Sequence, residues 1–451
     1  VTRRIVSLPA LTLLVTLCAP RHLLAQNPAT EPRCELAYSG QARSTLVQQP
    51  SGKYNVYQGG GVTYYCTGQN NQLRADSAEY YGDPGILYLI GNVHYTEPRV
   101  KVDSRRMTYF QREDRLVAEG DVVATLPSGT TLRGPRADYY RAVPNVRPKT
   151  RLYADGRPLI TLVQVDSQGR KQPPVDLRAD RVTMEADSLV YAGGSVDITR
   201  PDLHAVGDSA YLDSGREFAR LMRGPNIAGK AQRPFTLSGT VVDIYSRARQ
   251  LERVVSLGNA RALSDDLDLR ADTIDLRVTQ NKLEHAYAWG PSGAHAISPT
   301  QLISADSLDV RLPGQNIREV HAVQHAVAQS DPDSTKIRSK ERDWLRGDTI
   351  IALFDSTARG DTATKPQLTR LVAVGNARSY YQIAVSGAPI DRPAVNYVRG
   401  RKITVSFANR QVERVAVTEK ATGVYLEPVR DTTAHAPKTA ADSAATRRAR
   451  P

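Results

Sequence analysis

Strict alternation of apolar and polar residues recurs along this chain and restricts its fold more than any other feature. Val182 and Met184 flank Thr183, while Ile274, Leu276 and Val278 enclose Asp275 and Arg277. Leu308, Val310 and Leu312 enclose Asp309 and Arg311, and Ile403, Val405 and Phe407 enclose Thr404 and Ser406. Val242 and Ile244, on either side of Asp243, follow the same rule. A period of two puts the apolar residues on one face of an extended strand. An amphipathic helix needs spacings of three and four, and no segment after residue 30 sustains them. The expected class is all-β.

The alternating segments belong to a repeat. A short phrase (a small residue, an acid, a hydroxyl) opens each one, as in Leu73-Arg74-Ala75-Asp76-Ser77, Leu269-Arg270-Ala271-Asp272-Thr273 and Ile303-Ser304-Ala305-Asp306-Ser307. Leu177-Arg178-Ala179-Asp180 is a further copy, and Val206-Gly207-Asp208-Ser209 and Leu345-Arg346-Gly347-Asp348-Thr349 use glycine as the small residue. Degenerate copies start at Val102-Asp103-Ser104, Ala137-Asp138, Gly239-Thr240 and Gly400-Arg401. The commonest step is about 32 residues. A second phrase follows the first: Gly258-Asn259-Ala260, Gly375-Asn376-Ala377, Gly91-Asn92-Val93, Gly120-Asp121-Val122 and Gly194-Ser195-Val196. Glycine followed by Asn or Asp inside apolar alternation marks a bend or bulge. Each unit therefore reads as a strand, a turn and a second strand with a bend in its middle. Two strands alone are marginal in water, so the units must stack, leaving unpaired backbone at the two ends of the stack.

Composition adds the setting. The N-terminus has Arg3 and Arg4, an apolar run from Ile5 to Ala19 and a small residue, Ala25, before Gln26. That layout is a secretory signal over residues 1–25, and its removal takes Arg3, Arg4 and Arg21 and lowers the net charge from +13 to +10. Export leaves Cys34 and Cys66 as an even pair in an oxidising compartment, either bridged or as two free thiols. The positive charge suits phosphorylated lipid or another acidic surface better than nucleic acid, or it is simply a solvated surface. Residues 26–50 carry no alternation and read as a linker. The polar stretch 165–174 separates a block of strands over 51–165 from one over 175–430, and residues 431–451 read as a disordered basic tail. The 21 tyrosines suit half-buried strands and show no stacked ladder.

No catalytic constellation is visible, so the chain reads as a non-enzyme without a cofactor. Each recurrent Asp is one carboxylate per strand, read as a strand-start residue bonding nearby backbone. His321 and His325 read as a surface pair rather than a metal site. Ser292 lacks the spacing of a nucleophile elbow, and Gly59-Gly60-Gly61 opens no helix that could cradle phosphate.

Leu73-Arg74-Ala75-Asp76-Ser77-Ala78-Glu79-Tyr80-Tyr81, Gly91-Asn92-Val93-His94-Tyr95 and Leu116-Val117-Ala118-Glu119-Gly120-Asp121-Val122 resemble the OstA-like family of lipopolysaccharide transport proteins. That family includes the LptA-like periplasmic bridge protein, LptC and the N-terminal domain of LptD. Similar phrases continue to about residue 425. The resemblance implies a β-jellyroll of two antiparallel sheets folded into a V, in the periplasm between the two membranes. Its apolar interior shields the acyl chains of lipopolysaccharide, and its open edges pair end to end with other transport proteins or with a second copy. On that reading Val182, Met184, Val242, Ile244, Ile274, Leu276, Val278, Leu308, Val310, Leu312, Ile403, Val405 and Phe407 line the lipid groove. The chain departs from the family in having more repeats than a bridge protein and no long C-terminal barrel. The competing expectation is an exported structural or carbohydrate-binding β-solenoid with no lipid cargo.

Overall fold

A computed structural model describes residues 34–428, apart from 41, 144, 164–172, 187, 202, 230–234, 249, 265–266, 281, 356–365, 386–388 and 409–410. The segment read as a signal, the stretch read as a basic tail and most of 165–174 lie outside the described residues. The regular structure among the described residues is strand, apart from one short 3₁₀ turn at Pro313–Gln315.

The strands are β1 Leu36–Ser39, β2 Arg43–Gln48, β3 Tyr54–Cys66, β4 Gln72–Tyr81, β5 Ile86–Glu97, β6 Val100–Phe110 and β7 Arg115–Thr125. There follow β8 Thr131–Tyr140, β9 Arg151–Asp155, β10 Leu159–Leu162, β11 Val175–Arg178, β12 Arg181–Glu185, β13 Leu189–Thr199 and β14 Leu203–Asp213. Next come β15 Phe218–Met222, β16 Asn226–Gly229, β17 Phe235–Ser238, β18 Val241–Arg247, β19 Gln250–Ser264, β20 Asp268–Thr279 and β21 Lys282–Ile297. The series ends with β22 Gln301–Arg311, β23 Glu319–Ser330, β24 Asp343–Asp355, β25 Gln367–Ile383, β26 Ala394–Ala408, β27 Gln411–Thr418 and β28 Thr422–Leu426.

All pairings are antiparallel, and they join the 28 strands into one sheet. Six neighbouring pairs (β1/β2, β9/β10, β11/β12, β15/β16, β17/β18, β27/β28) are halves of one interrupted strand, so the 28 strands make 22 layers. At ~4.8 Å per layer the stack is roughly 100 Å long. The corners at Asp272 in β20 and Asp306 in β22 are two layers apart, so each repeat adds two layers.

Every layer turns a corner near its middle, and the two sequence phrases are the two sides of it. Gly91 and Asn92 in β5 both take positive φ, at 77° and 44°, and the pairing with β6 skips a register there. Gly120-Asp121, Gly194-Ser195, Gly258-Asn259 and Gly375-Asn376 do the same. Asn and Asp tolerate this left-handed region better than other side chains. Asp76, from the neighbouring strand, lies against Gly91, where a Cβ would run into its carboxylate, and it accepts a 2.9 Å bond from Asn92 Nδ2. Asp348 takes Asn376 in the same way, and Asp306 takes the His325 ring. The recurrent acid therefore sits in mid-strand and locks a corner, which corrects its reading as a strand-start residue. Two degenerate copies are also shifted: the corners of β6 and β8 fall at Ser104-Arg105 and Gly134-Pro135. At the first of these the charges are exchanged, with Arg105 bound to Asp121 of the glycine phrase.

Each corner divides the layer into two limbs. The first limb holds Leu87 of β5 and Leu276 of β20; the second holds Tyr95 of β5 and Leu269 of β20. Side chains of both limbs join in one buried core. The stretch read as a linker contains β1 and β2, which pair along β3. β2 is exposed throughout, so nothing obliges its sequence to alternate. Pairing also continues across 165–174: β10 bonds β11, and β9 bonds β12.

Candidate functional site

All thirteen alternating residues singled out from sequence lie on the first limb. Cross-strand partners join them into two inner rows. One row runs Met184–Val190–Leu212–Ala219–Ile244–Val254–Leu276–Ala286–Val310–Val320–Ala352–Leu371–Val405. The second carries Val182, Val242, Ile274, Leu308 and Ile403, and over its later part large residues alternate with alanine: Ile274, Ala288, Leu308, Ala322, Ile350, Ala373, Ile403. Val278, Leu312 and Phe407 lie at the limb's outer end and are half-buried.

The facing wall was missed. Leu177, Leu237, Leu269, Ile303 and Leu345 occupy the second limb's inner face and are buried. Each stands three residues before the corner position of its phrase, and that fixed offset was the available signal. Between the limbs the packing is close: Val242, Ile274, Ile403 and Val405 are 0% exposed. Small gaps interrupt this packing at two places. One is lined by Tyr95, Met107, Leu116, Tyr139 and Leu152. The other is lined by Ile303, Trp344, Leu371, Tyr381, Phe407 and Asp343.

The first gap is roofed by a buried polar cluster that sequence reasoning did not find. Arg141, just past β8 on the first limb, contacts Glu97 of the second limb at 3.3 Å and Asp114 at 3.3 Å. It also donates to Gln69 Oε1 at 2.9 Å. Tyr139 Oη donates to Glu97 Oε1 at 2.7 Å and Tyr95 Oη to Glu97 Oε2 at 2.8 Å. Tyr109 Oη donates to Asp114 at 2.8 Å. Burial pushes the three phenols up, with the neighbouring carboxylates adding to it. Burial acts against the Arg141 charge, but Tyr95, Asp114 and Glu97 outweigh it and hold the guanidinium above its ordinary range. The second gap has a different polar group. Burial pushes the Asp343 carboxyl up to about 6, opposed by bonds donated from Gln382 N (2.9 Å) and Gln382 Nε2 (3.4 Å).

The outer face of the first limb corrects the reading of the tyrosines. Tyr191, Tyr211, Phe218 and Tyr245 stand on successive layers with ring centroids 5.0, 6.2 and 5.2 Å apart. Arg220 and Arg253 lie over the last two rings while gripping Asp243 and Asp275. A ladder therefore exists, built by pairing register between residues distant in sequence. Cys34 and Cys66 are joined by a disulfide, which ties the start of the described chain to the end of β3. His321 binds Glu319 and His325 binds Asp306. Among the described residues no group of three or more His, Cys, Asp and Glu is placed to hold a metal, and no helix is long and apolar enough to cross a membrane.

Neither protein-family models nor curated protein sequences match this chain.

Proposed function

We propose that the chain is a lipid carrier of the OstA-like, V-shaped jellyroll type. On this reading it covers the acyl chains of lipopolysaccharide between its limbs while they cross the periplasm. The observation that carries the reading is the pair of inner rows over successive layers, apolar along the first from Met184 to Val405 and interrupted in the second by Ser256 between Val242 and Ile274. Each acyl CH₂ exposed to water costs ~0.8 kcal/mol, and a continuous apolar lane with no point-specific bonds lets a chain slide without a trap. The described strands at the two ends of the stack have a partner on one side only. Those edges are where further transport proteins, or a second copy, would extend the lane by strand pairing. Since the limbs are packed shut, loading requires them to part. The test is a photoreactive residue at Leu276 or Val310 in cells making lipopolysaccharide. Crosslinked lipid A is the expected product, and a folded chain that yields none at either site overturns the groove.

The Tyr191–Tyr245 ladder favours a second reading, a carbohydrate-binding exported β-solenoid whose closed core is structural only. A row of tilted rings beside bidentate Arg–Asp pairs offers apolar faces and polar edges together. Retention on a glycan array that is lost in Tyr191→Ala/Tyr211→Ala, with no lipid crosslink, would establish it.

A further inference from the structure

If the limbs must part to load a chain, the position of the parting is set by what holds their free edges together. In the early layers the edges are bound by polar contacts. Arg141 reaches from the first limb to Glu97 and Gln69 on the second. Tyr139 reaches Glu97, and Gln111 Nε2 donates to Cys34 O at 3.4 Å. The Arg141 and Glu97 side chains are each 6% exposed, so separating them strands two desolvated charges unless both reach water together. The disulfide holds Cys34 to β3 and keeps the Gln111 contact in place. Arg147 ties the strap of chain behind Arg141 by donating to Arg141 O at 2.7 Å and to Glu113 O at 2.9 Å.

In the late layers the limbs meet differently. Leu368, Leu371 and Phe407 of the first limb face Ile303 and Tyr381 of the second around a small gap, whose second-limb edge also carries Gln301, Gln329, Ser330 and Asp343. Apolar contact is non-directional, and it can be exchanged for an acyl chain of like character without leaving a polar group unpaired. Asp343 sits at this gap as a carboxyl bonded by Gln382, with Glu341 and Tyr380 near it on the same edge.

We propose that the Arg141–Glu97 cluster is a latch that keeps the early layers shut, and that the gap bounded by Ile303, Leu371, Tyr381 and Phe407 is where the limbs part and an acyl chain is admitted. The assignment of an acyl chain rests on the lipid-carrier reading; the place of opening does not. The full chain carrying Cys18→Ser is given one interior thiol, at Met107 of β6 or Leu371 of β25, and its alkylation by a maleimide is followed without lipid. Leu371→Cys should label faster than Met107→Cys by about tenfold or more, the equivalent of ~1.4 kcal/mol in opening. Glu97→Gln, which keeps the shape and removes the charge, should speed Met107→Cys and leave Leu371→Cys unchanged.

Equal rates at the two thiols, the reverse order, or a Met107→Cys rate indifferent to Glu97→Gln would overturn the latch. If Glu97→Gln does not fold, amide exchange on the unsubstituted chain decides: faster opening over β22–β26 than over β5–β8 supports the latch, and the converse sinks it. Late-layer opening without any lipid crosslink would leave the latch standing and remove the lipid reading.

Discussion

Asp343 and Asp76 show how the same side chain does opposite things at two depths of the fold. Asp76 is exposed at a corner, where it accepts a bond from the Asn92 side-chain amide. Asp343 is 8% exposed, and burial raises its carboxyl to about 6 from 3.8. A carboxyl that holds its proton more tightly when folded favours folding at low pH. That contribution is complete below the unfolded pKa and is lost as pH rises from about 4 through 6. Asp343→Asn keeps an acceptor for Gln382 and abolishes the ionisation. Its stability advantage over the parent should be near zero at pH 4 and grow to at most about 3 kcal/mol at pH 7, read from urea midpoints at the two pH values. An advantage that is constant across pH would rule out the buried carboxyl as its cause. Neither this residue nor the Arg141–Glu97 contact was legible in the sequence. Arg141 and Glu97 are 44 positions apart, and no local pattern announces a pair made by two limbs folding together.

At the scale of the strand, legibility followed the strength of the period. Copies with large residues at every second place, such as Ile274-Asp275-Leu276 or Leu308-Asp309-Val310, were read correctly as one-faced strands. The strands opposite them, such as Ala286-Tyr287-Ala288 in β21, carry alanine inward and tyrosine outward. Their inner face is small because the neighbouring layers already fill the space, and a hydrophobic count alone misses it. The corner was half-read. Both phrases were seen, but their meeting was not, because the Asp of one strand and the Gly-Asn of the next lie 15 to 28 residues apart. The pairing makes a definite prediction. Gly91→Ala places a methyl group against the Asp76 carboxylate at a backbone angle that disfavours side chains, and should cost about 1–3 kcal/mol. Asp76→Ala in the same chain removes the clash but not the strain, so the double variant should lose less than the sum of the single ones. Additive losses in urea unfolding would mean that the two residues do not act on each other.

For the molecule as a whole, the decisive property is that the stack is open. A closed barrel has no edges, whereas among the described residues β1/β2 bond only β3, and β27/β28 bond only β26. The exposed edges are apolar, with Leu46 and Val47 in β2 and Val424, Tyr425 and Leu426 in β28 at 44–61% exposure. Unpaired backbone beside apolar side chains invites another strand. A second copy can satisfy both ends at once, β27 and β28 of one chain meeting β2 and β1 of the next, and such a head-to-tail contact does not close. Self-association should therefore grow with concentration without stopping at a dimer, as sedimentation velocity would record. Val424→Lys with Leu426→Lys places charges on an edge already in water, so stability should change by no more than about 0.5 kcal/mol. Association should fall, because stacking two such edges would desolvate the new charges. A dimer that persists in this variant would place the contact elsewhere, and the outer Tyr191–Tyr245 ladder would be the next surface to substitute.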